Sequence, residues 1–211
     1  MRDVIWATPL YKFLRHCNSS PLEKIVLDCG AGGDDPPLQL FHEYGYRTYG
    51  VEVADNPFQQ AKQFCKEHNI ALNILKGDMR HLPFKRRFFS FAYSFNAIIF
   101  MTKQDIAHSL REIERVLRPT GLCFVNFVSV DEPTKGAFCK PFLGNTKFSQ
   151  HEDNEADSYF SNFDIIHKEK RIVEKTTNRK RSVQVYIDYI AKKKTEPRDR
   201  LRLESESLTE E

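Results

Sequence analysis

The chain lacks any apolar run long enough to cross a membrane; its longest runs are of strand length. Its opening residues, Met1-Arg2-Asp3-Val4-Ile5-Trp6, lack the apolar core of a secretory leader. Cysteines stand at 17, 29, 65, 123 and 139, an odd number with no C-x-x-C pair. That excludes a disulfide framework or a zinc site of the usual spacing and suits a reducing cytoplasm. An excess of one charge is also missing. A net +3 over 211 residues is too weak to imply nucleic acid by itself. The histidines share no metal-ligand spacing, and no internal repeat is visible.

What is present is ordinary globular composition, 40% hydrophobic and 29% charged. A single domain over residues 1–193 is expected, with a polar, disordered tail over 194–211. Thr8-Pro9 signals the start of a helix running to Cys17, within an N-terminal segment of residues 1–20. Ile25–Cys29, Thr48–Val53, Ala71–Leu75, Phe88–Phe95 and Leu122–Val128 read as strands. Pro36–Tyr44, with Asp35 placed to cap it, Pro57–His68 and Lys103–Leu117 read as helices between them. Arg118-Pro119-Thr120-Gly121 should end the last of these. Such alternation predicts an α/β fold, a parallel sheet covered on both faces. Residues 131–162 read as a long loop over the site, with a short helix around Glu155–Phe160. Phe163–Lys175 and Val183–Ile190 alternate like strands of a hairpin turning at Thr177-Asn178-Arg179. Its basic residues, Lys168, Lys170, Arg171, Arg179, Lys180 and Arg181, read as a solvated edge rather than a nucleic-acid patch.

The first strand runs into Asp28-Cys29-Gly30-Ala31-Gly32-Gly33-Asp34-Asp35. Ligands of open parallel sheets bind beyond the carboxyl ends of the strands, and three acids stand there: Asp28, Glu52 and Asp78. Glu52 lies twenty residues after Gly32 and suits a ribose, since a carboxylate accepts from both hydroxyls. A dinucleotide needs its pyrophosphate on the turn and the helix N-terminus, with G-x-G-x-x-G to admit it. Here Asp35 takes the third glycine position behind Asp34, and like charges at short range are costly. S-adenosylmethionine carries no phosphate, and its sulfonium and ammonium are cationic.

These segments together resemble the ordered motifs of class I S-adenosylmethionine-dependent methyltransferases. They are Val26-Leu27-Asp28-Cys29-Gly30-Ala31-Gly32, Gly50-Val51-Glu52, Gly77-Asp78-Met79 with Leu82-Pro83-Phe84, Phe91-Ala92-Tyr93-Ser94 and Val116-Leu117-Arg118-Pro119-Thr120-Gly121. The nearest branch is that of small bacterial and archaeal enzymes grouped with ubiquinone/menaquinone-biosynthesis and tellurite-resistance methyltransferases. The resemblance covers residues 22–130 and departs from the pattern at Asp34, where many members have glycine. It implies a Rossmann-like, seven-stranded, mainly parallel sheet with an antiparallel C-terminal hairpin strand. S-adenosyl-L-methionine is the implied cofactor. Gly30 and Gly32 would admit its methionine end, with Asp28 beneath and Ser94 nearby. Glu52 would hold the ribose, Val53 would pack on the adenine, and Asp78 and Met79 would receive the adenine edge.

Methyl transfer from a sulfonium is an in-line displacement in which the protein chiefly orients the acceptor. No general base is announced, so no catalytic residue is named. Tyr11, Asn96, Phe100, Met101, Phe138 and Phe142 are candidate acceptor contacts, mainly apolar, which favours a small, partly apolar acceptor. Among the histidines, only His151 falls in the expected lid, where a proton-transfer role is weighed. The Asp/Asn-Pro-Pro-aromatic pattern of amino-group nucleic-acid methyltransferases and the Pro-Cys pair of cytosine C5 enzymes are absent. RNA or protein as acceptor stays open, as does a cofactor-binding module without turnover.

Overall fold

A computed structural model describes residues 4–131, 133, 149–177 and 180–195. In chain order the elements are α1 (Val4–Asn18), β1 (Ile25–Cys29), α2 (Leu38–Glu43), β2 (Arg47–Glu52), α3 (Asp55–Glu67) and β3 (Ile74–Lys76). They continue with β4 (Phe89–Ser94), a 3-10 turn (Ile98–Phe100), α4 (Lys103–Val116), β5 (Leu117–Ser129), β6 (Gln150–His151), a second 3-10 turn (Glu155–Phe160), β7 (Phe163–Thr177) and β8 (Lys180–Lys193). The sheet runs β3-β2-β1-β4-β5-β8-β7, with two-residue β6 added beside β5. β8 lies antiparallel to both of its neighbours, and every other pairing is parallel. The expected seven-stranded path is therefore present, with β6 as an extra strand.

The sheet divides two cores. Ile25, Leu27 and Cys29 of β1 face one with the α4 residues Ile106, Leu110 and Ile113. Val26 faces the other with Leu10, Phe13 and Leu14 of α1 and Leu38 and Phe41 of α2. Burial on both faces is why β1 reads as a continuous apolar run. Strand order reverses between β1 and β4, so a crevice opens beyond their carboxyl ends.

Several element boundaries differ from the sequence reading. α1 starts at Val4, four residues before the Thr8-Pro9 signal, and carries Pro9 inside. A proline there removes only the bond to the carbonyl of residue 5, near the helix start. α2 is short and begins at Leu38, with Pro37 rather than Asp35 at its N-cap position. β3 begins at Ile74 because Asn73 takes a left-handed conformation, φ +52°, and turns its side-chain amide to the Thr48 carbonyl at 2.9 Å. The Arg118–Gly121 stretch does not separate helix from strand. β5 starts at Leu117 opposite Phe89, bulges over residues 118–121, and resumes with Leu122 opposite Phe91. Thr120 sits at φ +63°, and a Cβ on Gly121 would stand 2.8 Å from the Ser90 carbonyl.

Three basic side chains of the β7–β8 hairpin meet carboxylates. Lys168 pairs with Asp157, Lys170 with Asp131 and Asp153, and Arg171 with the buried Asp188 at 2.7 Å. Thr177 pairs with Lys180; the turn residues Asn178 and Arg179 lie outside the described residues. So do half of the expected lid, including Phe138 and Phe142, and the tail beyond residue 195. Among the described residues no helix is long and apolar enough to cross a membrane.

Candidate functional site

A cleft of about 470 Å³ opens at the switch point, within the size range of small-ligand sites. Four segments build it: the turn after β1, the end of β2 with the start of α3, the loop after β3, and the chain after β4. Its walls are largely apolar, and among the described residues its charged and amide side chains are Asp34, Glu52, Gln60 and Asn96, with no lysine or arginine.

The glycine turn is bonded to the protein itself. Gly30 N–H and Ala31 N–H both donate to the Val51 carbonyl, at 2.9 and 3.0 Å, and Gly33 N–H donates to the Pro57 carbonyl at 2.9 Å. Gly32 N–H donates to Glu52 Oε2 at 3.1 Å. All four amides are thus engaged, whereas a phosphate cradle needs such amides free. The following helix begins only at Leu38, after two prolines that have no N–H to offer. This geometry excludes a pyrophosphate more firmly than Asp34 and Asp35 do by their charge.

The two sequence-singled glycines serve the turn's own packing. A Cβ on Gly30 would lie 2.2 Å from Ala97 Cβ, and one on Gly32 would lie 2.6 Å from Glu52 Oε2. Gly33, at φ +107° with nothing within 4 Å of a built Cβ, is the position that leaves the wall open.

Glu52 is the most fixed acid of the cleft. Besides Gly32 N–H on Oε2, its Oε1 accepts from Ala54 N–H at 2.8 Å. A carboxylate offers about four lone-pair sites, so each oxygen keeps acceptor capacity for a ligand hydroxyl. Gly30, Gly32, Val53, Met79, Asn96, Phe100 and Met101 also line the cleft.

Four other residues singled out from the sequence do not. Asp28 is 2% exposed, under the turn. Burial pushes its carboxyl up to about 8, with nearby Glu52 adding to the rise. Its polar neighbour is Tyr93, opposite it on β4, yet neither Asp28 Oδ2 nor Tyr93 Oη has a partner at hydrogen-bonding geometry. Asp78 is held by Arg80, whose Nη2 donates to Oδ2 at 2.6 Å and whose backbone N–H donates to Oδ1 at 2.8 Å. That contact keeps the Asp78 carboxyl below its ordinary range. Arg80 also reaches Asp105 at the start of α4, so Asp78 anchors the loop that presents Gly77 and Met79. Ser94 is fully buried; it donates to the Cys29 carbonyl at 2.9 Å and accepts from Ile98 N–H at 3.1 Å, joining β1, β4 and the 3-10 turn. Tyr11 is 39% exposed on α1, away from the cleft lining.

His151 is fully buried against Phe127, and burial holds its pKa below the usual imidazole value. Among the described residues, its segment reaches the cleft-lining Met101 through Ser149 Oγ, which donates to the Met101 carbonyl at 2.6 Å. Asp34, Pro57, Gln60 and Phe95 are lining residues that strand-end reasoning does not single out as contacts. Pro57 and Gln60 follow Glu52 closely in sequence, which is the one signal that could have found them.

Residues 27–125 match the family model described as a methyltransferase domain. The chain carries a methyltransferase domain. A sterol 24-C-methyltransferase of Pneumocystis carinii is 29% identical over 156 residues, which are 69% of this chain and 41% of that protein. An uncharacterized methyltransferase of Bacillus subtilis, YodH, is 28% identical over 134 residues, 62% of this chain and 54% of that protein. The chain therefore spans about half the length of these relatives. Among solved structures, the 1,6-didemethyltoxoflavin-N1-methyltransferase of Burkholderia thailandensis, with bound S-adenosylhomocysteine, superposes with a TM-score of 0.68 at 15% identity. That match covers 92% of this chain and 80% of that one. TehB of Haemophilus influenzae also gives 0.68 at 15% identity, covering 87% and 62%. The fold is that of class I methyltransferases, whose cofactor is S-adenosylmethionine.

Proposed function

We propose that this chain transfers the methyl group of S-adenosylmethionine to a small, partly apolar acceptor. One observation carries the reading. The glycine turn has all its amides engaged and faces a cleft that bears Asp34 and Glu52 and, among the described residues, no basic side chain. Such a site suits a cationic, phosphate-free nucleoside and opposes a dinucleotide.

When bound, the cofactor supplies a methyl group on a positively charged sulfur. The residues present fit it. Glu52 retains acceptor capacity for the ribose hydroxyls, and Val53 and Met79 offer apolar surface to the adenine. Asp28, buried beneath the turn, is protonated in the ligand-free protein, and a bound ammonium group above it would favour release of that proton to leave a carboxylate facing the cation. Phe95, Ala97, Phe100 and Met101 form an apolar wall against which an acceptor can be oriented while water is excluded. The relatives and structural neighbours named above include a sterol 24-C-methyltransferase and a 1,6-didemethyltoxoflavin-N1-methyltransferase, which supports a small acceptor here.

Calorimetry with S-adenosylmethionine, S-adenosylhomocysteine and NAD tests the cofactor. Both sulfur nucleosides should bind, and preferential binding of NAD would overturn the reading. A screen of metabolite extracts for transfer of a labelled methyl group tests the acceptor. Transfer only to RNA or protein fractions would replace a small acceptor by a macromolecular one.

A further inference from the structure

Asn96 follows β4 and lines the cleft in a left-handed conformation, φ +55°. It is locked to Asn126 of β5, a fully buried residue. Asn96 backbone N–H donates to Asn126 Oδ1 at 2.8 Å, and Asn126 Nδ2 donates to Asn96 Oδ1 at 2.6 Å.

The two faces of a side-chain amide are usually assigned from their surroundings. Here the backbone decides the matter. A backbone N–H can only donate, so the atom of Asn126 that meets it must be oxygen. The other end of the Asn126 amide is therefore nitrogen and can only donate, so the atom of Asn96 that meets it must be oxygen as well. The Asn96 side chain is left with one uncommitted group, the two-proton donor Nδ2. No partner for it occurs among the described residues. Its neighbours along this part of the wall, Phe95, Ala97, Phe100 and Met101, offer no side-chain oxygen to compete for it.

We propose that Asn96 makes the acceptor site selective for molecules presenting a hydrogen-bond-accepting oxygen, as in a carbonyl, carboxylate or phenolate, over amines. This rests on the methyl-transfer reading of the cleft. An oxygen lone pair meets Nδ2 directly. A neutral amine has a single lone pair, which it cannot both give to Nδ2 and use to attack a methyl group, and in an aryl amine that lone pair is drawn into the ring and accepts poorly, so the donor is left weakly paired against an apolar wall. Asn126 is a positioning residue, since it acts only through Asn96.

The test uses acetophenone and aniline, two uncharged probes of similar shape at neutral pH. Binding is followed by calorimetry on the protein saturated with S-adenosylhomocysteine. Acetophenone should bind about five- to tenfold more tightly than aniline, the worth of one hydrogen bond. The Asn96 side-chain amide resonances should shift with acetophenone. Glycine and aspartate both tolerate the left-handed backbone. Asn96→Gly should therefore bring the two probes within about twofold, and Asn96→Asp should reverse the preference. Equal or tighter binding of aniline to the unaltered protein overturns the proposal. So does a preference that survives in both variants, or binding of neither probe. Loss of S-adenosylhomocysteine affinity in Asn96→Gly, with the probe preference intact, would assign Asn96 to the cofactor instead. Failure of S-adenosylhomocysteine to bind the unaltered protein counts against the methyl-transfer reading alone, because the probes can be titrated without it.

Discussion

Glu52 uses part of its carboxylate on the protein before any ligand arrives, and that dual service sets what its loss should do. Glu52→Ala removes the ribose acceptor and also frees Gly32 N–H and Ala54 N–H. Binding of S-adenosylhomocysteine should weaken by about 1–3 kcal/mol, read by calorimetry; unchanged affinity would remove Glu52 from the site. Asp28 makes a prediction of the opposite kind. Its folded pKa of about 8 lies above the ordinary carboxylate value, so the folded state holds a proton that the unfolded chain has released. The stability of the ligand-free protein should therefore fall as pH rises from about 4 to about 8, by at most about 1.4 kcal/mol per pH unit from this group. Asn in its place cannot ionise. The melting temperature of Asp28→Asn relative to the unaltered protein should rise between pH 5 and pH 9, and a constant difference would refute the assignment. Residue types and strand-end positions made Asp28, Glu52 and Asp78 conspicuous in the sequence. Their partners were not conspicuous: Arg80 stands two residues beyond Asp78, and Tyr93 is on another strand. Which acid faces the cleft depends on those partners, so the roles were less legible than the residues.

At the scale of elements, apolar periodicity and turn residues located the helices and strands of the parallel half apart from two-residue β6, because each buries a face against a core. Boundaries were missed where local chemistry yields to pairing. Pro119-Thr120-Gly121 carries strong turn signals, yet β4 provides enough partners on either side of the bulge for β5 to continue through it. Nor does periodicity reveal that α4 is fastened at both ends. Thr102 accepts from Asp105 N–H at 3.1 Å as its cap, so Thr102→Ala should cost about 1 kcal/mol in denaturant unfolding. At the other end Lys193, 4% exposed, donates to the carbonyls of Glu114 and Leu117 at 2.7 and 3.0 Å. Lys193→Met should keep most of the packing and lose these bonds, a destabilisation of about 1–3 kcal/mol by the same measurement. A loss confined to a few tenths would mean that water replaces the ammonium there.

For the molecule as a whole, the cleft joins segments from both halves of the parallel sheet, so a ligand held there opposes global unfolding. At a hundred times its dissociation constant, S-adenosylhomocysteine should add about 2.7 kcal/mol. For a chain of this size that corresponds to a rise of about 5–10 °C in melting temperature. The family match stops at residue 125, but the sheet does not: β5 finds its second long neighbour only in β8, whose pairing runs from Tyr186 to Lys192. On the ribosome, β5 emerges with most of its length buried-type side chains and waits some sixty residues for the strand that covers it. During that interval the nascent chain exposes an unpaired, apolar edge of the kind that recruits other chains. Shortening the chain before β8 should therefore raise its tendency to aggregate, read by light scattering against the full chain at equal concentration.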